Sequence, residues 1–273
     1  MPVKALILTG YGLNCDYETE HALKLAGAEA NRVHINDVIN DSGKMLADYH
    51  ILVFGGGFSW ADDHGAGVIF ASKIKFNIGD QITRFIEEGK LVIGICNGFQ
   101  SLVNIGLLPG FNRNYRERRV ALTGNDRGNF IDTWVNLKIN PDSNCIFTRG
   151  IEAIELPVRH AEGKFYADKD DIEKLFADNQ VVMQYADKNG SAASGEWPFN
   201  PNGSLRDIAG VTDPTGRIFG LMPHPEGFHS YMNHPDWTIN KERALREGKS
   251  PEQKEGDGIK IFRNAVEYAQ RLI

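Results

Sequence analysis

The sequence predicts an α/β fold: a mostly parallel sheet flanked by helices, with an antiparallel extension of the same sheet. Short Val, Ile and Leu runs alternate with helical patterns through the first half of the chain. These runs are continuously apolar, which is typical of parallel strands buried on both faces. Between residues 120 and 185 the pattern changes to strand-like stretches with closely spaced turn signals. This change indicates the antiparallel extension.

Four strands and two helices are predicted in the first half. The strands are short apolar runs, apart from the more polar stretch at 29–34, and each helix repeats its apolar residues at helical spacing. The predicted strands are Val3–Thr9, Glu29–His34, Ile51–Phe54 and Leu91–Gly94, and the predicted helices are Tyr17–Leu25 and Ile82–Glu88.

The second half is predicted to add strands to the same sheet and to end in an amphipathic helix. The predicted strands are Thr133–Lys138, Ile151–Val158, Ile208–Val211 and Arg217–Met222, and the predicted helices are Asp171–Ala177 and Ile259–Leu272. A polar stretch from Gly227 to Gly258 is too long for a simple connector. We expect one domain over residues 1–273, with an insertion at about 227–258 before the last helix.

The composition is that of an ordinary globular protein, because 41% of the 273 residues are hydrophobic and 24% are charged. A net charge of −6 argues against a surface that neutralises phosphates, so we expect no nucleic-acid partner. A short basic cluster at residues 113–119 does not change that balance. The N-terminal apolar run is too short for a signal sequence or a membrane span, which predicts a cytoplasmic protein with no membrane contact.

The cysteines argue against two kinds of framework. Cys15, Cys96 and Cys145 provide neither a paired disulfide set nor a Cys-x-x-Cys zinc spacing. His229 and His234 lie in the polar stretch without a matching set of ligands, so the sequence gives no reason to expect a metal. The remaining question is whether a cysteine fills the core or acts as a nucleophile.

Cys96 lies in the pattern of a nucleophile elbow. The apolar run from Leu91 leads through Gly94-Ile-Cys-Asn-Gly98 directly into a helical pattern. An elbow is a tight strand-to-helix turn that strains the nucleophile and requires small neighbours, which Gly94 and Gly98 provide. The N-terminus of the following helix favours a thiolate over a thiol. The pattern therefore favours a nucleophile over the commoner role of a buried apolar cysteine.

A base for this thiol is predicted at the end of another strand. The run Arg217–Met222 is followed closely by His224 and Glu226, and residues two apart in an extended chain point the same way. Glu226 can therefore hold one ring nitrogen of His224 while the other faces the thiol. Reactive groups in open α/β sheets gather beyond the carboxyl ends of the strands. A triad of Cys96, His224 and Glu226 is therefore available.

Three glycines, Gly55 to Gly57, directly follow the predicted strand Ile51–Phe54. No Lys-[Ser/Thr] follows them and Gly-x-Gly-x-x-Gly is absent, so a phosphate-binding loop is disfavoured. When a thiolate attacks an amide, an N–H of this loop and the N–H of Asn97 could stabilise the oxyanion. A plain tight turn is the alternative interpretation of the glycines.

These motifs resemble the class I, triad-type glutamine amidotransferases, which have a flavodoxin-like sheet, and among them the glutaminase subunits that serve purine biosynthesis. The resemblance extends in order from residue 12 to residue 226, which is far more specific than any single motif. Besides the elbow, it rests on Gly-Leu-Asn-Cys-Asp at 12–16, Gly-Gly-Phe-Ser-Trp-Ala-Asp at 56–62, Leu-Leu-Pro-Gly at 107–110, Pro-Val-Arg-His-Ala-Glu-Gly-Lys-Phe at 157–165, Asn-Pro-Asn-Gly-Ser at 200–204 and Gly-Leu-Met-Pro-His-Pro-Glu at 220–226.

The resemblance implies a reaction that is shared between subunits. This chain would hydrolyse glutamine to glutamate and ammonia through a thioester. A large synthetase subunit would use the ammonia, with ATP and magnesium, to convert formylglycinamide ribonucleotide to its amidine. A small bridging subunit of the same complex is a further expected partner, and no cofactor is expected in this chain.

The resemblance also implies which residues contact glutamine and its oxyanion. They are Gly56, Gly57, Phe58, Asn97, Gln100, His160, Glu162 and Gly163. Gln100 lies one helical turn after Cys96 and so shares its face of the helix. For His160 and Glu162 a salt bridge within a loop is the alternative interpretation.

Two other functions remain open. A related elbow-cysteine hydrolase that delivers no ammonia is disfavoured by Gln100 and the loop at 56–58, because a glutamine pocket needs both. A non-catalytic scaffold subunit is disfavoured by the presence of all three triad residues. The insertion at about 227–258 is longer than in many relatives, and it could be a distinct interface, a lid or a surface loop without function.

Overall fold

A computed structural model describes residues 1–249 and 255–273. The strands are β1 (Lys4–Thr9), β2 (Glu29–His34), β3 (Ile51–Phe54), β4 (Leu91–Ile95), β5 (Val120–Thr123), β6 (Ile131–Ile139), β7 (Ala153–His160), β8 (Lys164–Ala167), β9 (Val181–Ala186), β10 (Ile208–Thr212) and β11 (Ile218–Leu221). The α-helices are α1 (Asp16–Leu25), α2 (Ile35–Asn40), α3 (Val68–Glu87), α4 (Asn97–Ile105), α5 (Lys169–Ala177), α6 (Trp237–Arg246) and α7 (Ile259–Ala269).

The main sheet has nine strands in the order β2-β1-β3-β4-β11-β10-β9-β6-β7. The first five pair in parallel, and every later pair is antiparallel. The predicted parallel sheet and its antiparallel extension are therefore confirmed. β5 and β8 do not join this sheet but pair with each other in a separate two-stranded sheet. The sequence pattern does not distinguish them from the extension, because both kinds of strand alternate in the same way.

Helices cover both faces of the parallel half. The chain steps from β1 to β2 in one direction across the sheet and from β3 to β4 in the other. Because such crossovers are right-handed, α1 and α3 lie on opposite faces. α1 packs against α7, and α3 packs against α4. β3 and β4 between these layers are buried along their whole length, as their continuous apolar runs predict.

The reversal of strand order creates a crevice at the carboxyl ends of β1 and β3. Loops that leave neighbouring strands in opposite directions separate there, and this is where open α/β sheets bind their ligands. The loops that follow β1, β3, β4 and β11 all lie at this edge, because these four strands are parallel neighbours. The elbow cysteine and the predicted base belong to two of these loops.

The antiparallel half of the sheet curves back toward this edge. In a flat sheet β7 would lie four strand spacings from β11, or roughly 19 Å. Instead, the backbone N–H of His224, just after β11, donates to the carbonyl of Pro157 on β7 over 2.8 Å. β7 therefore forms one wall of the crevice.

Several predicted helices differ from those observed. α3 begins at Val68, fourteen positions before the predicted start at Ile82, because the apolar pattern extends back to Phe70 but is interrupted by the exposed Phe76. α2 was not predicted, since its six residues are too few for a clear periodicity. The last helix ends at Ala269 and continues as one 3₁₀ turn to Leu272. No helix of the described residues is long and apolar enough to cross a bilayer.

The predicted insertion is partly helical. It contains a 3₁₀ turn at Tyr231–Asn233 and α6, which buries none of its residues. His234, between them, is anchored to the body of the protein, since its Nε2 lies 3.1 Å from Oε2 of Glu155 on β7. Positions 250–254 of the insertion lie outside the described residues.

Candidate active site

Cys96 occupies a strained turn between β4 and α4. Its φ of 52° and ψ of −108° are rarely adopted by a residue with a side chain. The flanking glycines are required by close backbone contacts. A Cβ on Gly98 would lie 1.9 Å from the carbonyl oxygen of Phe54, and one on Gly94 would lie 2.7 Å from the carbonyl oxygen of Gly98. This is the geometry of the predicted nucleophile elbow.

His224 and Glu226 form a buried pair just after β11. Nδ1 of His224 lies 2.5 Å from Oε1 of Glu226, and the two side chains are 2% and 1% exposed. Among the described residues, Nε2 of His224 has no hydrogen-bond partner. The pair therefore fixes one ring nitrogen and leaves the other free, which is the arrangement expected of an oriented base.

The charge state of His224 is set by opposing effects. Burial by itself lowers the pKa of His224. The charge of Glu226, and then that of Cys96, act in the opposite direction, and the adjacent side chains of Cys15 and Cys96 add to them. Together they outweigh burial and raise the pKa of His224 well above its usual value. The site therefore favours an imidazolium held between a carboxylate and the elbow cysteine.

A cavity of about 240 Å³ gives access to these residues. Its lining includes four of the predicted site residues, Gly57, Phe58, Cys96 and His224. The other lining residues are Asn14, Cys15, Glu18, Phe130 and Arg159. Larger grooves at residues 42–88 and 166–206 contain none of the predicted site residues.

The glycine loop after β3 contains a backbone N–H without an acceptor among the described residues. The carbonyl of Gly56 accepts hydrogen bonds from backbone N–H groups of the loop after β1, and Phe58 donates to the carbonyl of Gly12 over 2.8 Å. The N–H groups of Gly57 and Asn97 have no acceptor within the described part of the chain. The sequence predicted that an N–H of this loop and the N–H of Asn97 bind an oxyanion, and the N–H groups of Gly57 and Asn97 remain available for that role.

The loop after β1 fixes the glycine loop by direct backbone contact. The N–H groups of Asn14 and Cys15 each lie 3.3 Å from the carbonyl oxygen of Gly56. A Cβ on Gly12, whose φ is 85°, would lie 2.0 Å from the carbonyl oxygen of Phe58. Gly56 also packs against the base, since a Cβ there would come within 2.8 Å of Cε1 of His224. The two loops and the base therefore form one packed unit.

Asn97 and Gln100 belong to a hydrogen-bonded layer behind the cavity. The side-chain amide of Asn97 donates to Asp62 over 2.9 Å and to Oε1 of Gln100 over 3.2 Å. The amide of Gln100 donates to the backbone carbonyl of Glu162, and the Glu162 carboxylate accepts from the N–H of Ala66 over 3.2 Å. Gln100 and Glu162 thus connect the elbow helix to the loop after β7. Their direct contact with glutamine stays a prediction.

His160 ends β7, Gly163 lies in the loop that follows, and both are held by asparagines. Nε2 of His160 is 3.0 Å from the side-chain nitrogen of Asn202, and the N–H of Gly163 donates to Asn125 over 3.0 Å. Burial, and secondarily the charge of His224, lowers the pKa of His160 to about 3. His160 is therefore a neutral residue that supports the loop, and it forms no salt bridge with any residue that the structure describes.

Sequence reasoning missed five residues of the cavity wall. Asn14, Cys15 and Glu18 follow β1, Phe130 precedes β6, and Arg159 lies on β7. A signal was present for the first group, because the loop after β1 shares the carboxyl edge of the sheet with the elbow. Nothing local predicts Phe130 or Arg159, since only the curvature of the antiparallel half brings them to Cys96.

The chain is similar to known proteins over nearly its whole length. A family model described as CobB/CobQ-like glutamine amidotransferase domain matches residues 2–269. The phosphoribosylformylglycinamidine synthase subunit PurQ of Methanococcus maripaludis is 48% identical over 265 residues, which cover 97% of each chain. The subunit of the same name from Dehalococcoides mccartyi is 46% identical over 270 residues, or 99% of each chain. A solved structure of PurLQS from Thermotoga maritima contains a chain with 30% identity and a TM-score of 0.70, over 98% of this chain and 99% of that one.

Proposed function

The chain belongs to the CobB/CobQ-like glutamine amidotransferases and is of the PurQ type, and we propose that it supplies ammonia by hydrolysing glutamine at Cys96, His224 and Glu226. It is the glutaminase component of phosphoribosylformylglycinamidine synthase, an enzyme of purine biosynthesis. One observation carries the assignment of the triad. A strained elbow cysteine lines the same cavity as a buried histidine whose other nitrogen is held by a carboxylate.

In the proposed reaction, the sulfur of Cys96 attacks the side-chain amide carbon of glutamine. The thiol proton resides on His224, and the amide oxygen becomes an oxyanion bound by the N–H groups of Gly57 and Asn97. His224 then donates its proton to the amide nitrogen, which leaves as ammonia and a thioester remains. A water molecule, deprotonated by His224, attacks the thioester and releases glutamate and the free thiol. Glu226 stabilises the imidazolium at each of these steps.

The cavity is suited in size and charge to a single amino acid. Its volume of about 240 Å³ is small, and its wall contains both a carboxylate, Glu18, and a guanidinium, Arg159. Gln100, His160, Glu162 and Gly163 form the adjacent layer and hold the loop that closes this side. In the proposed complex these residues select glutamine, with Phe58 at the mouth.

Ammonia released at Cys96 passes to a large synthetase subunit in the proposed complex, where ATP and magnesium bind and the amidine forms. A small bridging subunit completes the assembly. A solved relative with 30% identity comes from a structure of PurLQS, which supports an assembly of this kind. Residues 1–273 act as one amidotransferase domain, and the insertion at 227–258 is part of it.

The test compares two ammonia sources in the assembled enzyme. Cys96→Ala should abolish glutamine-dependent synthesis and leave synthesis from added ammonium salt intact. Cys145→Ala is the control, since Cys145 is buried in the core and does not line the cavity. Equal loss of both activities in Cys96→Ala would contradict the nucleophile assignment or indicate a broken interface. Labelling with a glutamine-analogue electrophile separates these two results, because mass spectrometry should locate the label on Cys96.

A further inference from the structure

A second thiol lies beside the proposed triad. Cys15, on the loop after β1, lines the same cavity as Cys96 and His224. The sulfur of Cys15, a ring nitrogen of His224 and a carboxylate oxygen of Glu226 lie within 4.8 Å of one another, and all three side chains are buried. We infer that Cys15, His224 and Glu226 bind a thiophilic divalent cation such as Zn²⁺, and that the bound cation inhibits glutamine hydrolysis.

The three donors match the preferences of zinc. Thiolate, imidazole and carboxylate are its usual protein ligands, at distances of about 2.0–2.3 Å. Two ligand atoms around one tetrahedral ion are therefore roughly 3.3–3.8 Å apart. An ion that takes the place of the proton between Nδ1 of His224 and Oε1 of Glu226 needs these two atoms to move apart from 2.5 Å, and the Cys15 sulfur already lies within 4.8 Å of a ring nitrogen and a carboxylate oxygen. The sequence does not indicate this set, because Cys15 lies more than two hundred residues before His224.

Two atoms at this position lack any other partner. Nε2 of His224 and Oε2 of Glu226 are buried, and neither has a hydrogen-bond partner within the described residues. Buried polar atoms without a partner are rare, because each one costs desolvation energy. Oε2 of Glu226 therefore offers lone pairs to an ion that the internal His224–Glu226 hydrogen bond does not use.

Space for an ion is preserved by Gly56. A Cβ at this position would lie 2.8 Å from Cε1 of His224 and 3.1 Å from the sulfur of Cys15. The absence of a side chain therefore keeps the gap between thiol and imidazole open. Since Cys15 and His224 both line the cavity, an ion can enter by the route proposed for glutamine.

The bound ion would stop the reaction by occupying the base. When the ion binds, the Cys15 thiol releases one proton to solvent and the imidazolium of His224 releases its Nδ1 proton, so that Nδ1 donates its lone pair to the metal while Nε2 keeps its hydrogen. His224 can then no longer accept the proton of Cys96. This inhibitory step rests on the proposed function, whereas binding of the ion does not.

Binding is tested with Co²⁺ as a spectroscopic substitute for zinc on the metal-free full chain. We expect a sulfur-to-cobalt charge-transfer absorption that saturates at one ion per chain. Cys15→Ser should weaken binding by about 100-fold or more, since loss of even a supporting residue costs 10- to 100-fold. Cys15→Ala is a second variant in case serine disturbs this buried position. Cys96→Ser and Cys145→Ser should keep the absorption. If Cys96→Ser removed it and Cys15→Ser did not, the assignment to Cys15 would be wrong.

Inhibition is tested in the assembled enzyme with buffered Zn²⁺. Glutamine-dependent synthesis should fall and recover when a chelator is added, while ammonia-dependent synthesis at the same zinc concentration stays constant. In Cys15→Ser, the zinc concentration for half-inhibition should increase by about 100-fold or more, relative to the variant's own uninhibited rate. Equal zinc sensitivity of wild type and Cys15→Ser would overturn the proposal. Failure of the proposed function would instead appear as glutamine-dependent synthesis by Cys96→Ala, whatever the zinc concentration.

Discussion

Oε1 of Glu226 lies 2.5 Å from Nδ1 of His224, and both groups are almost entirely removed from solvent. A second His–Glu pair, His234 and Glu155, has a separation of 3.1 Å, but its carboxylate side chain is 40% exposed. The described residues therefore contain one His–Glu pair that is buried and another whose carboxylate is open to solvent. Charge interactions are much stronger away from water, so the first pair can govern chemistry and the second cannot.

Substitution of Glu226 should impair catalysis without affecting the synthetase. Glu226→Gln keeps the shape of the side chain but removes the charge that stabilises the imidazolium. We expect kcat for glutamine-dependent synthesis to fall by about 10²- to 10⁴-fold, as for loss of an orienting carboxylate in other triads. Glu155→Gln is the matched control and should change this rate little. Comparable losses in the two variants would assign the effect to general disturbance of β7 and the loop after β11.

The same pair should make stability depend on pH. The pKa of His224 is raised in the folded protein, so protonation there favours the folded state. This contribution is complete below the unfolded pKa of about 6.5 and is lost as the pH rises through the raised value. Urea denaturation should show that the difference in unfolding free energy between wild type and Glu226→Gln decreases from pH 6 to pH 9. If the difference in unfolding free energy between the two proteins stayed constant, His224 would not change its charge between pH 6 and pH 9.

The elbow should tolerate no side chain at Gly98. A Cβ there would lie 1.9 Å from the carbonyl oxygen of Phe54, so β3 and α4 would have to separate. We expect Gly98→Ala to lower the unfolding free energy by about 3 kcal/mol or more. Gly79→Ala is the control, because nothing lies within 4 Å of a Cβ at that position in α3. Its helix propensity predicts a gain of about 0.5–1 kcal/mol. Thermal or urea denaturation of both variants checks the contrast.

Local patterns predicted the parts of the site that depend on neighbouring residues. The elbow follows from Gly94 and Gly98, which flank Cys96 at fixed spacing. The His224–Glu226 contact joins residues two positions apart, although Glu226 lies in the 3₁₀ turn Pro225–Phe228 and not in the predicted extended segment. Both are properties of a few consecutive residues. The strands β2 and β3 were likewise predicted to the residue.

The parts that were missed depend on long-range geometry. Cys15 approaches His224 because β1 and β11 end at the same edge, and Arg159 approaches Cys96 because the antiparallel half curves back. No short pattern encodes either contact. The early start of α3 was missed for another reason: Phe76, which is 83% exposed, breaks the apolar period that a buried face would show.

Asp62 should destabilise the folded protein as its carboxyl group ionises. Burial, and then the charge of Glu162, raises the pKa of Asp62 from 3.8 to about 6. The protonated form is therefore favoured by folding, and this contribution is lost as the pH rises from the unfolded pKa through about 6. Asp62→Asn keeps an oxygen that can accept from Asn97 but carries no charge. Relative to wild type, its unfolding free energy in urea should increase between pH 4 and pH 7.5. Asp63→Asn, with a side chain 72% exposed in the wild type, is the control and should give no such trend. Parallel stability profiles for wild type and Asp62→Asn would show that Asp62 ionises normally, and that the carboxylates around Asn97 do not repel each other measurably.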